Sequence, residues 1–418
     1  VVSAALLAAA VIAGTVTHGG AVEGGTIVRV TSLADDGPGS LRAAVQVNAP
    51  KVIVFDVGGV IHLASDLKIG TPHTTIAGQS APAAITLTGA SLRVRASDVV
   101  IQHIAVRPGP GDTPEINGNR DAITIGGGKH PIQNVRVENV SLSWSVDESA
   151  DIAGGTSNIT FRDNIVAEAL RSAGHPKGKH SMGMLINKDN QAVAVTGNLF
   201  AANEFRNPAI ARGGSVYDGY NLIVDPGQNA IHFYDVAGTT PLLASLVGNI
   251  VVAGPDTKKN VTAVQIPADM MSTGAEIYVA QNQAAPGDVT NTGGFVFAAN
   301  PPVSLPQGYP IPGDVRAWVF KYAGARPAAR DSIDSQILSA AGQGNLRIID
   351  DPSQVGGLAD STPVQRPAAV PDNPFAASSQ AGLLRIEAWL CWRHLSLGGP
   401  ATPECPESVG AYRHALGT

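Results

Sequence analysis

The chain has 418 residues, of which 44% are hydrophobic, 15% charged and 5% aromatic, with 47 glycines, 29 prolines and a formal net charge of −6. The hydrophobic share excludes a disordered chain, and the acidic balance argues against a nucleic-acid binder, which carries a basic excess. An anionic substrate stays open, because local positive charge governs capture.

Residues 1 to 14 (VVSAALLAAAVIAG) are small and apolar. They are too short for a membrane span. They resemble the apolar region and cleavage zone of a signal peptide that lacks its Met and basic start; the alternative is a buried first strand. No other run approaches transmembrane length, so a secreted protein with no membrane partner is expected. The stretch Gly37-Pro38-Gly39-Ser40-Leu41-Arg42-Ala43-Ala44-Val45 predicts a short helix. Ser40 is a good N-cap, and Leu41, Ala44 and Val45 share one helical face.

The middle of the chain repeats. Val135-Arg136-Val137-Glu138-Asn139-Val140 is followed by Ile159-Thr160-Phe161-Arg162-Asp163-Asn164-Ile165 and Val193-Ala194-Val195-Thr196-Gly197-Asn198-Leu199. Further copies end on Asn221, Asn249 and Asn282, and the asparagines step by 25, 34, 23, 28 and 33 residues. Val99 to Val106 reads as an earlier rung, with His103 at the Asn position. Such periods mean stacked units, none of which can bury its apolar face alone. The period-two alternation makes the units strands. Asparagine tolerates left-handed backbone and bonds its neighbours, so the repeated Asn reads as an internal ladder. The fold class expected is all-β: a right-handed parallel β-helix with an N-terminal cap helix and a helical C-terminal tail.

Three elements along this ladder carry chemistry. Asp121 opens an alternating strand, and Asp147 and Asp151 follow about one rung later, flanking Glu148. Several carboxylate oxygens from neighbouring rungs suit a hard cation such as Ca²⁺; solvated turn carboxylates are the plain alternative. His175-Pro176-Lys177-Gly178-Lys179-His180 is a basic loop that would attract a polyanion. A zinc site from His175 and His180 finds no acidic or thiol partner at suitable spacing. Arg206 and Arg212 follow the Asn198 rung and could hold carboxylates bidentately. Gly126-Gly127-Gly128 is no phosphate loop, since no Gly-Lys-Ser/Thr follows.

After residue 300 the pattern changes. Pro301 to Pro312 reads as a loop, residues 328 to 341 as a short helix, and 350 to 380 as an extended tail. Residues 381 to 395 read as an amphipathic helix whose tryptophans pack rather than stack on sugars. The two cysteines, Cys391 and Cys405, are spaced for one local disulfide. The division expected is 1–24 as a signal remnant or N-terminal segment, 25–325 as the catalytic β-helix, and 326–418 as a tail packed on the coil.

Over roughly residues 25 to 370 the chain resembles the pectate lyases of polysaccharide lyase family one, in a bacterial subgroup. The matching motifs are Val30-Thr31-Ser32-Leu33-Ala34-Asp35-Asp36-Gly37-Pro38-Gly39-Ser40-Leu41-Arg42, Val54-Phe55-Asp56-Val57-Gly58-Gly59, Ser143-Trp144-Ser145-Val146-Asp147-Glu148 and Gly324-Ala325-Arg326-Pro327. The resemblance implies β-elimination on pectate. It makes Asp121, Asp147 and Asp151 ligands of Ca²⁺, Arg206 the proton-abstracting arginine and Arg212 a substrate-binding arginine, with one extra residue between the two. The family's substrate-binding lysine has no clean counterpart, and Lys177, Lys179 or His180 takes its place. A secreted monomer, active above neutral pH, is expected. The alternatives are a non-catalytic β-helical carbohydrate-binding protein and a β-helical glycoside hydrolase, which needs a protonated acid opposite a second carboxylate.

Overall fold

The computed structural model describes residues 21–22, 24–234, 238–259, 261–267, 274–285, 290–291, 295–358, 362–380 and 382–409. The apolar stretch 1–14 lies outside the described residues.

The chain coils into three sheets of ten, nine and ten strands. Each turn of the coil contributes one strand to each sheet, and successive turns pair in parallel. The coil is thus the parallel β-helix expected from the repeat. One pairing differs: Val364–Gln365 in the tail runs antiparallel to Val57–His62, covering an exposed edge. The alternation read in the sequence sets which side chains enter the core. Val135, Val137, Ile159, Phe161, Val193 and Val195 are all buried inside the coil.

The bends between sheets explain the repeated asparagines, with one correction. Asn164, Asn198, Asn221, Asn249 and Asn282 form the ladder. The backbone N–H of each of the first four donates to the side-chain oxygen of the next at 2.9–3.0 Å. Asn139 is not in it. It sits one residue earlier, at the left-handed bend (φ 50°), in line with His103 (φ 57°) and Asp163 (φ 53°). Its side chain donates instead to the carbonyl of Tyr322 at 2.6 Å. The ladder's lowest bond is made by Val140 N–H to Asn164 Oδ1 at 2.8 Å.

Helix α1 (Leu41–Gln46) begins at Ser40, whose hydroxyl accepts the Ala43 N–H, and buries Leu41, Ala44 and Val45. A one-turn helix α2 (Pro114–Asn117) follows later. In the C-terminal region, α3 (Val315–Tyr322) was not expected from the sequence. Helix α4 (Ser332–Gln343) starts four residues later than the pattern suggests, because Asp331 caps it. Helix α5 (Arg385–Ser396) carries Cys391, which is bridged to Cys405.

These helices determine which face of the coil stays open. Helices α3 and α4 pack on the outer side of the third sheet, against Ile165, Leu199 and Leu222. Buried Arg107 anchors α4 through Asp331 and Asp334. Helix α5 covers the first sheet over Val52, Val54 and Ala77, with Trp389 buried in that contact. Neither helical layer lies on the nine-stranded sheet. Its strands, in chain order, are β1 (Leu67–Ile69), β2 (Leu92–Val94), β3 (Ile123–Ile125), β4 (Glu148–Ile152), β5 (Met182–Ile186), β6 (Ala209–Ala211), β7 (Ile231–Tyr234), β8 (Val264–Gln265) and β9 (Thr290–Asn291).

Candidate active site

Register brings distant residues of this sheet into one row. Lys68, Arg93, Thr124, Asp151, Leu185, Ala209 and His232 are successive partners across β1 to β7. Their flanking residues alternate into the core, so the row faces outward. The turns leading into β3, β4 and β6 carry Asp121, Asp147 and Arg206 to the edge of this row.

Asp121, Asp147 and Glu148 each present a carboxylate oxygen, and the three oxygens lie within 4.8 Å of one another. Asp121 Oδ2 accepts from Arg93 Nη1 at 2.8 Å and from the Thr124 hydroxyl at 2.5 Å, and its Oδ1 accepts the Glu148 N–H at 3.2 Å. Arg93 also donates to Asp66 at 3.0 Å. Glu148 forms an ion pair with Arg206. Burial pushes the Asp121 carboxyl up to about 7; the Asp147 charge adds to this and the Arg93 guanidinium opposes it. Asp151, one register along β4, is pushed up to about 8 by burial and by the charges of Asp121 and Asp147. One of its buried oxygens, Oδ1, has no hydrogen-bond partner. Asp151 therefore borders the triad of oxygens without being part of it, whereas Glu148, which the sequence left unassigned, belongs to it.

Asp147 has a second set of neighbours. His180 Nε2 lies 2.9 Å from its Oδ1, and His175 Nε2 lies 3.5 Å from the same oxygen. The two rings stack with centroids 3.6 Å apart. Asp147 is the acidic partner that sequence spacing failed to reveal for these histidines. These three residues bring ligand atoms within 4.8 Å of one another, and one contact weighs against a zinc ion held by His175. His175 Nδ1 accepts the Lys177 N–H at 3.1 Å, so the neutral ring carries its proton on Nε2, facing the carboxylate. A protonated Nε2 is a donor and not a ligand. Burial, His180 and Lys177 lower the His175 pKa, against the pull of Asp147. His180 thus acts as the N–H donor holding Asp147, while His175 Nε2 is buried beside it without a hydrogen-bond partner.

Lys177 and Lys179 are exposed on the loop before β5, whereas His180 is buried at Asp147. Arg206 lies three residues before β6, in the turn that leads into it, and Arg212 follows β6 directly. His232, on β7 and paired in register with Ala209, is pushed down to about 4 by burial and by the neighbouring Arg206 charge. Arg93 and His232 were missed by motif reading, and Glu148 was noted in the cluster without a role. For Arg93 a signal existed: Ser91-Leu92-Arg93-Val94 alternates one rung before Asp121.

No family model matches the chain. A protein of Aspergillus flavus named probable pectate lyase C is 31% identical over 360 residues, covering 79% of this chain and 76% of that protein. Its namesake in Aspergillus fumigatus is 31% identical over 346 residues, covering 78% and 76%. Among solved structures, the cedar pollen allergen Jun a 1 has a TM-score of 0.49 at 19% identity, covering 79% of this chain and 90% of that one. A pectate lyase of Bacillus sp. N165, solved with trigalacturonate, has a TM-score of 0.43 at 14% identity, covering 73% and 94%. The chain is a homologue of polysaccharide lyases. The chain belongs to the pectate lyase family. The bacterial subgroup expected from the motifs is not upheld, since the curated relatives at 30–31% identity are fungal.

Proposed function

We propose that the protein is a secreted enzyme that cleaves pectate by Ca²⁺-assisted β-elimination. The observation that carries this reading is the meeting of Asp121, Asp147 and Glu148 with Arg206 on the open sheet. The donor set fits calcium, being all oxygen. Asp151 adds a buried oxygen without a partner, and the raised pKa values of Asp121 and Asp151 come first from burial and then from neighbouring carboxylates, both of which a divalent cation would offset. Asp121, Asp147 and Glu148 would hold the ion, with Asp151 beside them. Bound there, Ca²⁺ would neutralise the sugar carboxylate and so acidify the adjacent C–H.

In elimination the proton leaves the carbon beside the carboxylate, a C=C double bond forms, and the glycosidic C–O bond to the leaving sugar breaks. Arg206 is the residue proposed to take that proton. Its ion pair with Glu148 stabilises the guanidinium form, and an arginine keeps its proton to very high pH. Alkaline solution and loss of that pairing on substrate entry are therefore needed before Arg206 acts as base. Arg212, Lys177, Lys179 and His180 are proposed contacts for the substrate's other carboxylates, His180 through its hold on Asp147. The disulfide and the family both favour secretion, and a monomer is proposed.

One observation favours a second reading. A carboxyl with a pKa of about 8, such as Asp151, is protonated at neutral pH, as a hydrolase's general acid must be. The product separates the two. Polygalacturonate is incubated at alkaline pH with Ca²⁺ or with a chelator, and ultraviolet absorbance of the unsaturated product is followed. A calcium-dependent rise lost in Arg206→Ala is expected. New reducing ends without absorbance would overturn elimination. Binding without turnover at any pH would point to a carbohydrate-binding protein.

A further inference from the structure

A second concavity lies against the same sheet, upstream of the acidic cluster, with a volume of about 660 Å³. Its lining includes Lys68, Arg93, Arg120, Asp66, Glu115 and Ile116. Lys68 and Arg93 begin the outward row that continues through Thr124 to Asp151. The cleft and the candidate active site therefore share one floor, joined where Arg93 grips Asp121. Lys68, on β1, stands two strands from β3, which is roughly 10 Å at about 4.8 Å per strand.

The charges in the cleft are unequally committed. Arg93 is paired with Asp66 and Asp121, and Arg42 at the far rim is paired with Asp35. Arg120 is 8% exposed. It donates to the Gly89 carbonyl at 2.6 Å, and its buried Nε has no partner. Among the described residues no carboxylate lies within ion-pair distance of Arg120 or of exposed Lys68. Asp66 and Asp112 act on Arg120 only through space, against Arg93, and Glu115 stands on α2 at the rim. A buried guanidinium with an unused N–H is costly unless something anionic completes it. Beside it Ile116 is 45% exposed, one of the few large apolar side chains at the surface.

We propose that this cleft is a binding subsite for a second uronate of the same chain: Arg120 and Lys68 receive its carboxylate and Ile116 covers a face of the sugar ring. The proposal rests on the uronate-lyase reading above and adds to it a dependence on chain length. A long substrate occupies both the cleft and the reacting centre, so binding energy gained in the cleft is available there. A short one engages the centre alone.

The test compares wild type, Lys68→Glu, Arg120→Gln and, as a control on α3 outside the site, Lys321→Ala. KM is measured on saturated oligogalacturonates from trimer to heptamer. Lys68→Glu is expected to raise KM for the long oligomers about fivefold, with an effect that shrinks as the oligomer shortens. Lys321→Ala should follow wild type. Equal changes at every length, or none, overturn the subsite while leaving the lyase reading intact. Should Arg120→Gln fail to fold, Lys68→Glu still decides. Should no oligomer be turned over, calorimetric titration with galacturonate hexamer, with and without Ca²⁺, reads the cleft directly. Weaker hexamer binding in Lys68→Glu then upholds the subsite even though the lyase reading fails. A wild type that binds no hexamer, or a Lys68→Glu that binds it equally well, overturns it.

Discussion

His180 places its Nε2 2.9 Å from Asp147 Oδ1, and this one bond orients a carboxylate on which the whole candidate site depends. An ionised carboxylate only accepts, so the imidazole donates, leaving Asp147 Oδ2 available to a cation. Removing such an outer partner costs metal affinity rather than fold. His180→Ala is expected to weaken calcium binding about tenfold, read by isothermal titration. His180→Gln, which keeps an N–H donor near the Nε2 position, should recover most of it. Equal affinities in Ala and Gln variants would show that the ring does not act through this bond.

Arg206 reaches from the turn before β6, across β5, to Glu148 at the start of β4. Glu148→Gln removes the charge that stabilises the guanidinium and also one oxygen of the proposed calcium set. If the second effect dominates, as the fit of the donor set implies, kcat/KM on polygalacturonate should fall about 100-fold and be partly restored by excess Ca²⁺. Arg206→Ala should remove nearly all turnover, on the order of 10³-fold, with no rescue by the ion. Rescue of both variants alike by calcium would count against Arg206 as base.

The acidic cluster also sets a pH dependence of stability. Asp121 and Asp151 have folded-state values of about 7 and about 8, against 3.8 for an ordinary aspartate. Between pH 4 and 8 the folded chain therefore holds more protons at these groups than the unfolded chain does. Stability contributed by the neutral carboxyls is complete below about pH 4 and is lost as pH rises through 7 to 8. With a chelator present, Tm should fall between pH 6 and 9. Added Ca²⁺ should reverse the fall, and reverse it more at pH 9 than at pH 6. A Tm in chelator that rises over this range would show that these carboxyls ionise normally.

Much of this was legible in the sequence because a β-helix turns periodicity directly into position. Asp121, Asp147 and Arg206 sit at the same edge of the turns that lead into β3, β4 and β6, and the alternating strands after Asp121 and Arg206 announce that. What escaped depends on quantities that a repeat does not encode. Asn139 looks like the other ladder asparagines, yet it sits one residue out of phase, because that rung has Val140 where the next has Asn164. Glu148 and Asp151 are equally good carboxylates by composition. Which one completes the oxygen triad follows from how the turn enters β4, where the Glu148 N–H bonds Asp121. The link from Asp147 to His175 and His180 spans a full turn of the coil and ends in the irregular loop before Met182, which follows no period. Helix α3 begins at Asp314, an N-cap that follows a proline-rich run and reads locally as loop.

The tail gives a further check. Cys391 on α5 and Cys405 close a loop with a separation of 14 residues, over the outer face of the first sheet. In the chain-entropy model a loop of that size stabilises by about 3 kcal/mol. Cys391→Ser with Cys405→Ser should lower unfolding free energy by about that amount in denaturant titration. Since α5 does not cover the nine-stranded sheet, kcat at low temperature should stay close to wild type. A large loss of kcat in a folded variant would mean that the tail reaches the site.

The two kinds of asparagine make the ladder testable. Asn198 is fully buried. Its side-chain oxygen accepts from the Asn164 backbone and side chain at 2.9 and 3.1 Å, and its amide donates to the Phe161 carbonyl at 3.1 Å and to Asn221 Oδ1 at 2.9 Å. Asn198→Ala strands donors and acceptors above and below inside the coil. Each stranded buried group costs about 1–3 kcal/mol, so a loss of roughly 3 kcal/mol or more is expected. Asn139→Gly keeps the left-handed backbone, which glycine adopts freely, and gives up the bonds to the segment beyond residue 320. Its cost should be smaller, about 1–2 kcal/mol, and should appear as looser docking of α3 in hydrogen exchange. If the two substitutions cost the same and exchange rises throughout the coil in both, Asn139 belongs to the ladder after all, and the one-residue offset has no energetic meaning.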